Sequence, residues 1–392
     1  MPPDFDARLR LLAEVIVRVG LNLQRGQRLL IAEPYELQGV SREAQPLVDA
    51  ITQVAGVRTE VIWGDAPRLR QWVKRGDWPA LAELTAAHAA KMDSAVRNGD
   101  ALLFLLGSHP TLLNGLPGED VAELRRIAGE NFGPVAHQLT RARAATNWTA
   151  APAPNAAWAD QAYPELPAAE RLTALWVDVF AALRVDQPDS LVAWQIHLDQ
   201  LTELQSSLNQ RRHTTMRYHG PGTALTVTLP ADHHWCTARL KTRFGVPFVA
   251  NLPTEEVFTA PHRDSAEGHL RVARPVYYAG SLIEDLELEF AQGKVVSARA
   301  RAGQALVETL LATDPGAIRL GEVAYVPRDS ALARSTRVFG HTLLDENAAS
   351  HVALGQAYPF CLRSPDGAAD VLNHSLLHLD LPLDASVTWE PA

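Results

Sequence analysis

Residues 101–107 read Ala-Leu-Leu-Phe-Leu-Leu-Gly, six apolar residues in a row closed by a glycine. A strand needs such an unbroken run when helices cover both faces of its sheet, because neither side then alternates toward water. The segments that lead up to it follow the same logic. Residues 79–97 carry a helical pattern, 57–63 (VRTEVIW) a strand, 44–54 a helix, and 28–33 (RLLIAE) another buried strand. Before these, Leu9, Leu12, Val15, Ile16 and Val19 recur at helical spacing, with Asp6 placed to cap the helix. Strands alternating with helices predict an α/β domain on a mainly parallel sheet.

Further along, residues 146–167 contain four prolines, and the segment is predicted as a long connection or domain-crossing loop. Helices are expected at 168–183 and 198–211. From about Met216 the character changes. Residues 223–229 (TALTVTL), 286–290 (LELEF) and 295–300 read as strands, the last two joined by the turn AQGK. Short helices are expected at 304–312 and 346–353. The chain is therefore predicted as two domains, an N-terminal α/β domain over residues 1–190 and a C-terminal strand-rich α+β domain over 191–392.

Composition narrows the function. The 392 residues are 47% hydrophobic and 21% charged, enough apolar material for a core and too little charge for disorder. With 36 Lys plus Arg against 45 Asp plus Glu, the net charge is -9, which argues against a nucleic-acid partner. Two cysteines, Cys236 and Cys361, lie far apart in no CxxC pair, so a disulfide framework and a thiolate zinc site are not expected, and a reducing compartment is. No apolar stretch reaches the ~18 residues of a membrane span, and the N-terminus lacks a signal-peptide pattern. The expectation is a cytoplasmic protein without a membrane partner.

The chain has no Walker-type phosphate loop, no HExxH helix and no GxSxG elbow. Instead, carboxylates and histidines gather in the last third: Glu255 and Glu256 in NLPTEEVFTAP, Glu322 in LGEVAYVP, Asp345, Glu346 and His351 in LLDENAASHVALG, and His374, His378 and Asp380 in NHSLLHLD. On an extended segment His378 and Asp380 share a face and can reach one cation. Glu346 and His351 are five apart, roughly 140° round a helix, so they converge only if Glu346 lies at or before the helix start. Each residue also has a plainer reading: a Glu-Glu pair as solvated surface, Glu322 as an edge charge, His374 as a structural residue, His233 and His234 as loop residues, Tyr358 as a packing aromatic, and Asp345 as a helix cap.

Taken together, the segments LLAEVIVRVGLNLQRGQRLLI, NWTAAPAPNAAWA, NLPTEEVFTAPHR, GSLIEDLELEF, LGEVAYVP, LDENAASHVALGQAYP and the closing N-x-S-x-x-H-x-D resemble the aminopeptidase T/aminopeptidase S family of metal-dependent aminopeptidases. The resemblance spans most of the chain. It implies a two-metal centre in the C-terminal domain with Glu256, Glu322, Glu346, His351, His378 and Asp380 as ligands, Glu322 bridging both cations, and Tyr358 at the site in a catalytic role. It also implies hydrolysis of the N-terminal residue of peptides by a hydroxide that the two metals activate, and a homodimer. Four carboxylates balance two divalent cations, and a set of O and N donors suits zinc, cobalt or manganese. Glu255, beside a ligand without being one, is the expected general base. Two other readings use the same residues: a dinuclear hydrolase of a non-peptide amide or ester, and an inactive binding protein. After Asp380 the chain departs from the family with LPLDASVTWEPA, and Pro382 is expected to end the strand early or hold it at an edge.

Overall fold

The apolar run folds as a six-residue strand, Ala101–Leu106, buried along nearly its whole length. The computed structural model describes residues 1–392 apart from 2–3, 36–38, 108, 142, 273, 279–280, 331, 336, 365–367, 385 and 392. The first half of the chain forms α1 (Phe5–Glu14), β1 (Leu29–Ala32), α2 (Gln45–Ala55), β2 (Thr59–Val61), α3 (Ala66–Arg75), α4 (Trp78–Asn98), β3 (Ala101–Leu106), α5 (Gly118–Leu139), β4 (Trp148–Pro152), α6 (Ala156–Ala162), α7 (Ala168–Ala182) and α8 (Ser190–Arg211). Then come β5 (Thr215–Gly220), β6 (Thr223–Thr228), β7 (Arg239–Lys241), β8 (Pro247–Val249), β9 (Val257–Thr259), β10 (Glu267–Val272), β11 (Val276–Tyr278), β12 (Ser281–Ile283), β13 (Leu286–Ala291) and β14 (Lys294–Arg299). The last are α9 (Gln304–Leu311), β15 (Leu320–Tyr325), α10 (Thr342–Glu346), β16 (His351–Gly355), α11 (Ala368–Val371), β17 (His378–Pro382) and β18 (Thr388–Pro391).

Two compact units result. One comprises Met1–Asp199, Ala238–Thr254 and Phe339–Leu343. Its sheet runs β2-β1-β3-β4 with every pair parallel. One face of that sheet, with Leu30, Leu102, Phe104 and Ala150, packs on Met92 and Val96 of α4 and on Phe132, Val135 and Leu139 of α5. Local chemistry sets the ends of α4: Asp77 accepts the Ala80 N–H, Pro79 fits the first turn, and Gly99 at φ 74° stops the helix.

The other unit comprises Gln200–Thr237, Glu255–Val338 and Leu344–Ala392. It holds an antiparallel six-stranded sheet, β14-β13-β10-β6-β5-β18, and an antiparallel four-stranded sheet, β17-β16-β15-β9. Both sheets turn one face into a shared core that includes Tyr218, Leu225, Leu270, Leu288, Val323, Val352 and Leu379. The β13–β14 turn has Gln292 at φ 51° and Gly293 at φ 75°, the left-handed pair that a tight hairpin requires.

Several expectations are corrected here. Residues 146–167 are not a connection: they contain β4 and α6, with the prolines at element ends and in the links, and Asn155 accepting the Trp158 N–H as helix cap. The helix expected at 346–353 is the end of α10, a short link and the strand β16, because His351–Gly355 is enclosed between β15 and β17 and pairing decides its form. Asp6 lies in the first turn of α1 behind Asp4. Asp345 lies inside α10 rather than before a helix. The helices α3, α5 and α11 and the strands β5, β7, β8, β9, β10, β11, β12 and β18 were not foreseen from the sequence. Pro382 does close β17, which lies at its sheet's edge.

His197 and His341 are buried in the first unit, where their Nε2 atoms meet the Thr254 and Leu106 carbonyls at 2.6 and 3.2 Å. Burial brings each down from the ordinary 6.5 to about 4, against the help of those carbonyls. Between about pH 6.5 and 4 the unfolded chain therefore binds protons that the folded chain refuses, and stability falls as pH drops, by about 1.4 kcal/mol per pH unit per histidine. Denaturant midpoints at pH 7 and pH 5 should show a smaller acid loss in His341→Phe, whose ring can still stack on Trp158, than in the parent.

Candidate metal centre

Strand register builds the site. Glu322 on β15 lies opposite Ala353 on β16, which lies opposite Asp380 on β17. In the rows alongside, His351 faces Ala324 and Gly355 faces His378. Opposed residues share a face of a sheet. Glu322, His351, His378 and Asp380 thus stand on one side, with only Ala324, Ala353 and Gly355 between them. The reverse side carries Val323, Val352, Leu354, Leu379 and Leu381 into the core.

Glu322 reaches that face through an irregularity. Leu320 pairs with Leu354 on the core side, and simple alternation would send Glu322 there too. The register shifts between the two, so Gly321 is the extra residue and Glu322 turns over to the polar side. A Cβ at 321 would run into the carbonyl oxygens of Gly355 and Gln356, so glycine is required.

Glu256, just before β9, and Glu346, the last residue of α10, complete the group. Single donor atoms of Glu256, Glu322 and His351 lie within 4.8 Å of one another, as do those of Glu322, His378 and Asp380. The two sets share Glu322. His351 Nε2 is 3.1 Å from Glu256 Oε2, 3.5 Å from Glu322 Oε1 and 3.8 Å from Asp380 Oδ1, and His378 Nε2 is 3.4 Å from Asp380 Oδ1. Glu346 contacts the Asp380 carboxylate and feels the charge of Glu256.

Backbone carbonyls orient both imidazoles. His351 Nδ1 is 3.1 Å from the Ala349 oxygen, and His378 Nδ1 is 2.9 Å from that of Gln356. A carbonyl only accepts, so Nδ1 carries the proton and Nε2 turns its lone pair toward the carboxylates, as a metal-ligating histidine does. With Nε2 of His351 unprotonated, Glu256 Oε2 is buried with no hydrogen-bond donor among the described residues. A lone pair facing an orphan carboxylate oxygen calls for a cation between them. The residues fit a dinuclear site for divalent cations.

Burial and close neighbours shift the titration of these groups. Burial pushes the Glu322 carboxyl up, and the Glu256 and Asp380 charges add to it. Burial and the neighbouring Asp380 and Glu256 drive Glu346 well above its usual range. For His351, burial opposes the charged form, but Glu256, Glu322 and Asp380 outweigh it and the pKa rises well above normal. For His378, burial again lowers the value and Asp380 overcomes it, to about 9. Asp380 is raised by burial yet pulled below the usual carboxylate range by His378 and His351.

Of the remaining candidates, Glu255 is buried beside Glu256 with its N–H bonded to Asn347 Oδ1 at 2.6 Å. The Tyr358 ring stacks on Phe360 and has its centroid 5.3 Å from that of His378. His374 is exposed and belongs to neither ligand set. His233 Nδ1 faces the Pro230 carbonyl, and neither His233 nor His234 belongs to a set. Sequence reasoning passed over Asn347, Gly321 and the two orienting carbonyls. Asn347 and Gly321 sit beside candidate ligands, and that adjacency was their only signal.

A carboxylate-rich face with two ligand sets about one shared glutamate, on a chain with a parallel α/β N-terminal part and a strand-rich C-terminal part, defines a dinuclear metal hydrolase. The profile of the family described as thermophilic metalloprotease (M29) matches residues 5–387. Aminopeptidase T of Thermus thermophilus is 39% identical over 380 residues, covering 96% of this chain and 92% of that protein. Aminopeptidase AmpS of Bacillus subtilis is 31% identical over 383 residues, covering 96% and 92%. The solved structure of wild-type AmpT from Thermus thermophilus superposes with a TM-score of 0.86 at 36% identity, covering 99% of this chain and 98% of that one. The chain belongs to the M29 metalloprotease family.

Because both sets use Glu322, Glu322→Gln should lose both cations, whereas His378→Ala should lose one. Elemental analysis per chain after saturation with cobalt and desalting reads the difference.

Proposed function

We propose that this chain is a metal-dependent aminopeptidase that removes the N-terminal residue of peptides, with Glu256, Glu322, Glu346, His351, His378 and Asp380 as its ligands. The two ligand sets sharing Glu322 carry the reading, and the aminopeptidase names of the relatives support it. When bound, a cation pair supplies Lewis acidity toward the scissile carbonyl and lowers the pKa of a water to near neutrality. Zinc, cobalt and manganese all suit the O and N donors.

The chain's own groups do the rest. Glu255, held by its backbone beside Glu256, takes the proton of the attacking water and hands it to the leaving amine. Tyr358, ring to ring with His378, donates its phenolic hydrogen to the oxyanion that develops on the carbonyl. Residues 191–392 form the catalytic domain in this proposal, and residues 1–190 form an α/β domain. The protein works in the cytoplasm, where the buried free thiols Cys236 and Cys361 remain reduced, and as the homodimer that its family resemblance implies. Among the described residues no helix is long and apolar enough to cross a membrane.

The direct test is release of p-nitroaniline from leucyl p-nitroanilide before and after chelation, with readdition of cobalt or zinc. Activity should vanish and return, and the N-acetylated substrate should resist. Cleavage confined to esters or non-peptide amides would replace the peptidase reading. Glu255→Gln should lower kcat by roughly 10²–10⁴-fold with metal content unchanged. Tyr358→Phe should lower kcat, by at most roughly 10²–10³-fold, with KM little altered.

A further inference from the structure

We propose that Asn347 is a positioning residue of the metal centre, a clamp that sets Glu346 relative to the Glu255–Glu256 pair. The inference rests on the aminopeptidase reading above. Asn347 is fully buried, in the link between α10 and β16. Its Oδ1 accepts the Glu255 N–H at 2.6 Å, across 92 positions of sequence, and its Nδ2 donates to Glu346 Oε1 at 3.3 Å. The orientation of the amide is not arbitrary. A backbone N–H can only donate, so oxygen must face Glu255, which leaves the NH2 group for the carboxylate.

The donor matters because of where Glu346 stands. Its carboxyl is buried in contact with Asp380, and an NH2 group aimed at one oxygen fixes the direction in which the other oxygen points, as a partner outside the ligands themselves does. The same side chain ties down the backbone of the residue proposed to carry the proton. One neutral amide thus joins a ligand, the segment bearing a second ligand, and the general base. Asn347 acts through these groups and touches no reacting atom.

Asn347→Asp separates this role from plain structural support. It keeps an oxygen for the Glu255 N–H but puts a second anionic oxygen in front of Glu346, while Asn347→Ala removes both bonds. Cobalt affinity is measured by chelator competition, stoichiometry by elemental analysis, and kcat and KM on leucyl p-nitroanilide. In Asn347→Asp, one of the two cations should bind at least roughly tenfold more weakly, in line with the loss of an outer-shell partner. Its kcat should fall at least as far, with KM within about threefold. If Asn347→Asp keeps both cations at parental affinity or tighter, and only Asn347→Ala is impaired, Asn347 merely supports the backbone and the proposal is overturned. Should Asn347→Asp fail to fold, Asn347→Ser, too short to span both partners, is read by the same criteria. A parent protein that binds no cobalt, or binds it without cleaving aminoacyl amides, overturns the underlying reading instead and is told apart by its own titration.

Discussion

Four carboxylates buried on and around one sheet face are the constraint that the rest of this molecule answers to. Two like charges ~4 Å apart repel by about 4 kcal/mol at an effective dielectric of 20, and here Glu256, Glu322, Glu346 and Asp380 share one neighbourhood. Two imidazoles cannot settle that imbalance while neutral. In the protein alone they rise toward the charged form, and His378 reaches about 9. Two divalent cations match the four negative charges and leave the imidazoles neutral, which is how their Nδ1 hydrogen bonds already orient them.

Holding such a group together requires a frame that does not relax. The frame is the sheet β17-β16-β15-β9, whose reverse face is fixed by aliphatic packing on the larger antiparallel sheet. Close-packed interiors resist even small shifts, so rows of opposed residues set ligand spacing better than loops would. Ala324, Ala353 and Gly355 leave room between the larger polar side chains of that face. The bulge at Gly321 brings the shared carboxylate into the row, and one of the two carbonyls that crowd this glycine, that of Gln356, also orients His378. One backbone oxygen therefore links the placement of Glu322 to that of His378.

Some of this was legible along the chain because it depends on local pattern. The uninterrupted apolar run of β3 and the flanking helical periodicities carry the parallel sheet, and LELEF-AQGK announces a hairpin by alternation and turn chemistry. The clustering of carboxylates and histidines in the last third, and their match to family segments, pointed to the residues that the fold brings together. Misreadings arose where tertiary pairing overrides composition. Prolines at 152 and 154 looked like a loop signal, yet β4 sits at the sheet edge, where a missing N–H is tolerated. DENAASHVALG reads as a helix by propensity, but its second half is a strand between two neighbours.

What the linear chain determined by itself is the chemistry on offer: carboxylates and imidazoles gathered in the last third, so that oxygen and nitrogen donors rather than thiolates would face a cation. It also determined the alternation of elements in the first half, since periodicity is a local property. Only the tertiary structure decided that His351 opens a strand, that Glu322 leaves the core face at a bulge, and that Asn347 spans 92 positions to meet Glu255. The physical reason is that register, bulge and hydrogen-bond partner are relations between strands distant in sequence. Their energies come from packing and pairing, which no window of neighbouring residues contains.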